Sequence, residues 1–426
     1  RQLAVMIEQD PERAVRFVAL ASGHVPYAAA GFAGVVALKL AHLLRDIPER
    51  RAEFLNNASA FLSQAGRHEE ALSAAQEAVT IRRELALSQP KLYMSDVAAS
   101  LHNLGKMLMH CGQHEEAVDV TREAVTIKRD LVRSHPKLFT SDVAKSLNNL
   151  GAMLRSVGRH EEALGMAQEA SDLFRDLARS QPETFLPDLA TALDCLACSL
   201  SALNRHKEAL GVAQEASDLF RSLVQSRPEF FLPHFATALG CLTSALSGLG
   251  RREEALGVAQ EASDLYRDLA RSRPEAFSHD FAMSLSALAK GLSDLDRNEE
   301  ALGAAEEASN LYRNLARLRP EVHLPDFAIS LLCLAIVLSS LDRNENALST
   351  AQEASKHFRD LARLQPEAFL PNLATSLLVI ANSLAGLDRN EEALGAAQEA
   401  SNLYRDLARS KPMTFSLSLG KSFNTL

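Results

Sequence analysis

The sequence predicts an all-α fold, a solenoid of stacked antiparallel helix pairs, on three observations. A seven-residue string, GRHEEAL at 66–72, returns every 46 residues: GQHEEAV from Gly112, GRHEEAL from Gly158, NRHKEAL from Asn204, GRREEAL from Gly250, then DRNEEAL, DRNENAL and DRNEEAL from Asp296, Asp342 and Asp388. Within each period the apolar residues fall at alternating intervals of four and three, the spacing of one face of a helix. Prolines at 90, 136, 182, 228, 274, 320, 366 and 412 keep the same step. A fixed period outweighs the count of about three domains that the length alone suggests, because repeat arrays grow by stacking neighbours.

The elements follow in order. Residues 1–48 hold two apolar helical stretches, around PERAVRFVALA and GFAGVVALKLAHLL, without the EEAL turn. They are expected to form a degenerate helical pair over the face of the first repeat, or the tail of an upstream domain. Residues 49–426 read as eight 46-residue repeats plus a partial ninth first helix at 412–426. In the fourth repeat the first helix is expected at roughly 187–203, with Leu189, Leu193, Leu196, Leu200 and Leu203 along one stripe. Pro187 suits a first helical position, where its missing N–H is not needed. Ser95 and Ser141, followed by Asp96 and Asp142, stand at the same place in earlier repeats and favour helix starts. A turn at Asn204 and Arg205 leads to a second helix over about 206–226, striped by Ala209, Leu210, Ala213, Ala216, Leu219 and Leu223. The proline after it stops the helix and pushes the preceding residue toward an extended shape.

Superposing the repeats exposes columns that never change. Leu55 and Leu62 recur as Leu at every step of 46, to Leu377 and Leu384, and Ala71 and Ala78 recur as Ala to Ala393 and Ala400. A further column is always small: Ser59, Gly105, Gly151, Ala197, Thr243, Ala289, Ala335 and Ala381. Small residues let helices approach while the leucines fill the gaps. The Glu-Glu pair starts the second helix at its positive end and reads as solvated, dipole-matched charge.

Bulk composition excludes several function classes. With 45 basic and 54 acidic residues and no basic stripe, a nucleic-acid partner is not expected. Five cysteines are too few to staple 426 residues and suit a reducing, cytoplasmic setting. The apolar stretch from Tyr27 to Leu44 is broken by Lys39 and His42, so no membrane partner is expected. No phosphate-cradling glycine loop, Ser-His-Asp set or zinc-helix motif occurs, so neither an enzyme, a cofactor nor a metal is expected. Cys195 and Cys198 form a C-x-x-C inside a helix without a second ligand pair, and packing is the expected role. His68, His114, His160 and His206 recur in the turn as surface or interhelix residues. Phe174, Phe220, Tyr266, Tyr312, Phe358 and Tyr404 form an aromatic column expected to pack in the core.

The sequence resembles the tetratricopeptide repeat. Leu147, Gly151, Leu154, Gly158, Ala163, Ala170 and Pro182 match that pattern residue by residue, over all but residues 1–48 of the chain. The usual unit is about 34 residues, and the excess here is expected partly in a second helix two turns longer. SLNNLGAMLRSVGRHEEAL, from Ser146, is most similar to the longer-helix variant of kinesin light chains, and to arrays attached to signalling NTPases. The resemblance implies a right-handed superhelix whose first helices line a concave groove. It also implies a non-catalytic scaffold for a protein or extended peptide, such as the sensor arm of a larger signalling protein.

On those first helices the variable columns change character along the chain. Repeats one to three offer Asn56, Asn57, His102, Asn103, Lys106, Asn148 and Asn149, with Lys145 and Arg155 adding positive charge; repeats seven and eight are more apolar. An Asn side chain donates to and accepts from a peptide backbone at once, so these nine residues are the expected contacts of an extended, acidic peptide. The competing expectation is a structural spacer or self-associating array with no groove ligand, suggested by near-identical later repeats such as EEALGVAQEASDLYRDLARSRPE.

Overall fold

The computed structural model describes residues 14–18 and 27–410, and no strand occurs among them. The chain divides into two compact units, Arg1–Leu219 and Phe220–Leu426. After the short α1 (14–18), unit 1 contains α2 (Tyr27–Leu43), α3 (Pro48–Gln64), α4 (His68–Ser88), α5 (Pro90–His110), α6 (His114–Ser134), α7 (Pro136–Ser156), α8 (His160–Ser180) and α9 (Pro182–Ala202). The division falls inside α10 (His206–Ser226). Unit 2 contains α11 (Pro228–Gly248), α12 (Arg252–Ser272), α13 (Pro274–Ser293), α14 (Asn298–Leu318), α15 (Pro320–Ser340), α16 (Asn344–Leu364), α17 (Pro366–Ala385) and α18 (Asn390–Ser410). Each unit is an all-α stack in which successive antiparallel helices pack lengthwise. From α3 onward, odd-numbered helices are the first helices of the repeats and even-numbered ones the second. The partial ninth helix expected at 412–426 lies outside the described residues, as do 1–13 and 19–26 of the N-terminal segment.

The first helices begin five residues earlier than the sequence reading placed them. Pro182 opens α9, and Pro187, expected at the helix start, sits inside it; Ser95 and Ser141 likewise lie inside α5 and α7. The physical reason is that the repeating proline both ends one helix and starts the next. It occupies the first helical position, and the residue before it is extended, as at Gln181 with φ −141° and ψ 73°. A single residue therefore joins each second helix to the next first helix. The 46-residue period is a 21-residue helix, a turn of three residues, another 21-residue helix and one linking residue, with small variations at α13 and α17 and a shorter, 17-residue α3. The excess over the common unit is thus shared by both helices. Pro187, Pro233 and Pro371 each cost a helical hydrogen bond, and Thr191, Thr237 and Thr375 bind the carbonyls of these prolines at 2.9–3.0 Å.

The recurring seven-residue string is a helix-to-helix turn with a backbone requirement. Its first residue adopts positive φ in all eight copies: Gly66, Gly112, Gly158 and Gly250 at 74–78°, and Asn204, Asp296, Asp342 and Asp388 at 55–58°. Only Gly, Asn and Asp tolerate that region readily. The next N–H reaches back to the carbonyl of the invariant leucine, as Arg67 to Leu62 at 2.9 Å and Arg389 to Leu384 at 2.9 Å, which closes a Schellman cap. The arginine then forks onto the second glutamate: Arg67 Nε and Nη2 donate to Glu70 at 2.7 and 2.6 Å, and the same fork recurs at Arg159, Arg205, Arg251, Arg297 and Arg389. The glutamate is therefore a partner of the turn arginine as well as a dipole-matched charge.

The invariant leucines and alanines are buried throughout both units. A Cβ on Gly105 would stand 2.2 Å from Thr121 Oγ1, so the small column marks where the two helices of a repeat touch. At the N-terminus Phe17 of α1 meets Phe32 of α2 edge to face at 5.6 Å, and α2 packs along α3. Among the described residues, four stretches, Pro182–Ala202, Pro228–Gly248, Val322–Ser340 and Pro366–Ala385, are long and apolar enough by length and composition to cross a membrane. First helices acquire this character because a helix packed on more than one side needs apolar residues around more of its circumference.

Candidate functional site

The first helices of unit 1 meet through polar side chains about one repeat apart. Asn56 Nδ2 on α3 donates to Ser100 Oγ on α5 at 2.9 Å, and Ser63 Oγ lies 2.7 Å from His110 Nδ1 across the same pair. Asn149 on α7 reaches His102 on α5 at 3.2 Å. Lys145 Nζ on α7 lies 3.3 Å from Asp188 on α9. These contacts form a polar wall, and all nine sequence-predicted contacts lie on three of its helices, α3, α5 and α7.

The structure sorts those nine by accessibility. Asn56 and Asn148 are each only 8% exposed and act within the helix stack. Asn57, His102, Asn103, Asn149 and Arg155 are half-buried, while Lys106 and Lys145 are exposed. Asn103 and Lys106 line an open cavity of about 380 Å³ together with Ser59, Ser63, Met107 and His110. On α3, α5 and α7 several buried polar atoms have no hydrogen-bond partner among the described residues: Asn56 Oδ1, His102 Nδ1, Asn148 Oδ1 and Arg155 Nη1. Orphaned buried groups are uncommon and costly, and here they recur from α3 to α7.

The electrostatics of the wall are cationic. Burial, reinforced by Lys106 and Lys128, holds the His102 imidazole down to about 4, so the ring is neutral at ordinary pH. Because Asn149 can only donate through Nδ2, His102 accepts at Nε2 and carries its proton on the orphaned Nδ1. Burial and the neighbouring His68 and Lys106 also lower His110. Burial pushes Asp194 up to about 6, with the Arg155 guanidinium opposing the shift. The same burial, with Asp194 nearby, raises the Cys195 thiol to about 11, so this cysteine remains a thiol and behaves as a packing residue.

Two contributors escaped the sequence reading. Arg82 and Lys128 occupy, on α4 and α6, the slot that the aromatic column fills from Phe174 onward. Arg82 Nη1 donates to the Asp96 carbonyl at 2.8 Å, and Lys128 Nζ donates to Ser146 Oγ at 2.7 Å. Burial lowers both cations from their ordinary values. Extending the aromatic column back by two steps of 46 would have found them. The later aromatics are core residues, 0–4% exposed.

Comparison with known proteins places this architecture. Tetratricopeptide-repeat family models match residues 96–176 and 142–222, and a second such model matches 51–86. A model described as anaphase-promoting complex subunit 5 matches 260–319, 309–365 and 356–425. No curated protein matches the sequence. Among solved structures, a Rap protein complexed with competence and sporulation factor is 14% identical with a TM-score of 0.53, covering 94% of this chain and 100% of that one. A Pyrococcus horikoshii signal-transduction ATPase with numerous domains, with a tetratricopeptide repeat sensor, is 15% identical with a TM-score of 0.50. That match covers 90% of this chain and 55% of the ATPase. A Podosopora anserina putative kinesin light chain with nearly identical TPR-like repeats is 20% identical with a TM-score of 0.42, over 52% of this chain and 97% of that one. The chain is a tetratricopeptide-repeat array built from long, 46-residue repeats.

Proposed function

We propose that the chain is a non-catalytic scaffold that holds an extended, acidic peptide or protein segment along the first helices of unit 1. The observation that carries this reading is the replacement of core aromatics by Arg82 and Lys128 beneath a wall bearing Asn103, Lys106 and Asn149. Partly buried cations are costly to keep, and a field of positive charge under accessible amides is suited to recognising an acidic backbone. The Rap protein of similar fold was solved in complex with competence and sporulation factor, and the ATPase has a tetratricopeptide repeat sensor; a sensor arm in a cytoplasmic signalling protein is the setting we favour.

A spacer reading is favoured by a different feature. Arginines on successive second helices pair with glutamates 40 residues on: Arg83–Glu123, Arg129–Glu169 and Arg175–Glu215 in unit 1, Arg221–Glu261, Arg267–Glu307, Arg313–Glu353 and Arg359–Glu399 in unit 2. That ladder serves stacking and involves no groove residue.

The test is to select extended peptides from an unbiased displayed library on the full chain, then measure the best binder against an Asn103→Ala/Asn149→Ala double variant. The proposal expects acidic sequences and a loss of affinity of about tenfold or more with an unchanged melt. Unchanged affinity rejects the groove assignment.

A further inference from the structure

In an array this regular, two neighbouring repeats of unit 2 depart from it at different columns, and the departures meet in space. His323 on α15 stands where the other repeats carry Tyr93, Phe139, Phe185, Phe231, Phe277 and Phe369. His279 on α13 stands where they carry Ser95, Ser141, Pro187, Pro233, Pro325 and Pro371. An imidazole in the first slot gives up apolar burial, since His323 is 5% exposed. The two rings lie 5.5 Å apart, and His279 Nε2 lies 3.2 Å from Asp326, one turn beyond His323 on the same helix.

We propose that His279, His323 and Asp326 form a binding site for one divalent first-row transition metal, Zn²⁺ foremost, that clamps α13 to α15. One ligand atom from each of the three lies within 4.8 Å of the others. Donors around a tetrahedral Zn²⁺ stand about 3.3 Å apart, given metal–ligand distances near 2.0–2.1 Å, so modest side-chain rotation closes the set. Two imidazoles and one carboxylate suit Zn²⁺ and its neighbours rather than Mg²⁺ or Ca²⁺, which take oxygen ligands. The other nitrogen of His279, Nδ1, lies 3.5 Å from Asp280, the carboxylate–imidazole arrangement that orients metal-bound histidines. With His279 39% and Asp326 37% exposed in their side chains, the ion has a route in. The inference is independent of the peptide proposal, because it concerns unit 2 and other residues.

The test uses the full chain, stripped with chelator and titrated with Zn²⁺ by calorimetry, beside His323→Phe and His279→Pro. Both substitutions restore the residue that most other repeats carry at that position, so both variants are expected to fold. Wild-type protein should bind a saturable equivalent of Zn²⁺ and melt higher with it. Each variant should lose that equivalent or bind it at least tenfold more weakly. A wild-type chain without saturable Zn²⁺ binding, or a variant weakened less than tenfold, overturns the site.

Discussion

One slot on the second helices separates the early repeats from the later ones. In α4 and α6 it holds Arg82 and Lys128, which reach forward to the next repeat's first helix at Asp96 and Ser146. In unit 2 it holds aromatics, and two of its three tyrosines bond backward within their own repeat, Tyr266 to Thr237 at 2.8 Å and Tyr404 to Thr375 at 2.7 Å. The leucine and alanine columns are the same in both regions. The difference teaches that the packing columns fix the stack, while this slot is free to change chemistry and sets the charge beside the first helices.

The comparison can be broken most severely by moving a cation into the aromatic region. Phe174→Lys should cost about 3–5 kcal/mol, combining a lost aromatic with an unpaired buried charge, read as a lower urea midpoint. Tolerance of that change would mean the slot is not core. The pH dependence of unit 1 supplies a second handle. His102 is held neutral in the fold, at about 4 against 6.5 unfolded. Its contribution is therefore fully present above about pH 6.5 and is lost as pH falls toward 4. His102→Asn should flatten that part of the stability curve by on the order of 1–3 kcal/mol, measured by urea unfolding across the same window. The reverse swap sharpens the contrast: Lys128→Phe should raise stability by about 1 kcal/mol while weakening peptide binding. The smallest effect belongs to the Arg–Glu ladder. Arg83 and Glu123 are both exposed, so Arg83→Ala should cost about 0.2–1 kcal/mol, and less at high salt.

The helical repeat was legible because its signals are local and repeated eight times. The second helix of the fourth repeat falls where the stripe from Ala209 to Leu223 puts it. The first helix was misplaced at its start because proline carries two meanings, terminator and first helical residue, and only the single-residue linker decides between them. The left-handed turn was visible in the alternation of Gly, Asn and Asp, although its backbone meaning emerges only from the positive φ values. The polar wall was read as one set of equals. Asn56 and Asn57 are adjacent in sequence, yet one is buried against Ser100 and the other is partly accessible. A single helical step decides that difference, and column composition does not register it. Nor do columns reveal His279 and His323 as partners, since they occupy different positions in different repeats.

Lys106 and Lys290 share one repeat column, the first in unit 1 and the second in unit 2. Binding of a selected acidic peptide to Lys106→Glu and to Lys290→Glu therefore compares the same charge reversal on the two regions. The account predicts a loss of about tenfold or more for Lys106→Glu and none for Lys290→Glu. Equal losses, or a loss confined to Lys290→Glu, would contradict the claim that recognition resides on the cationic wall of unit 1.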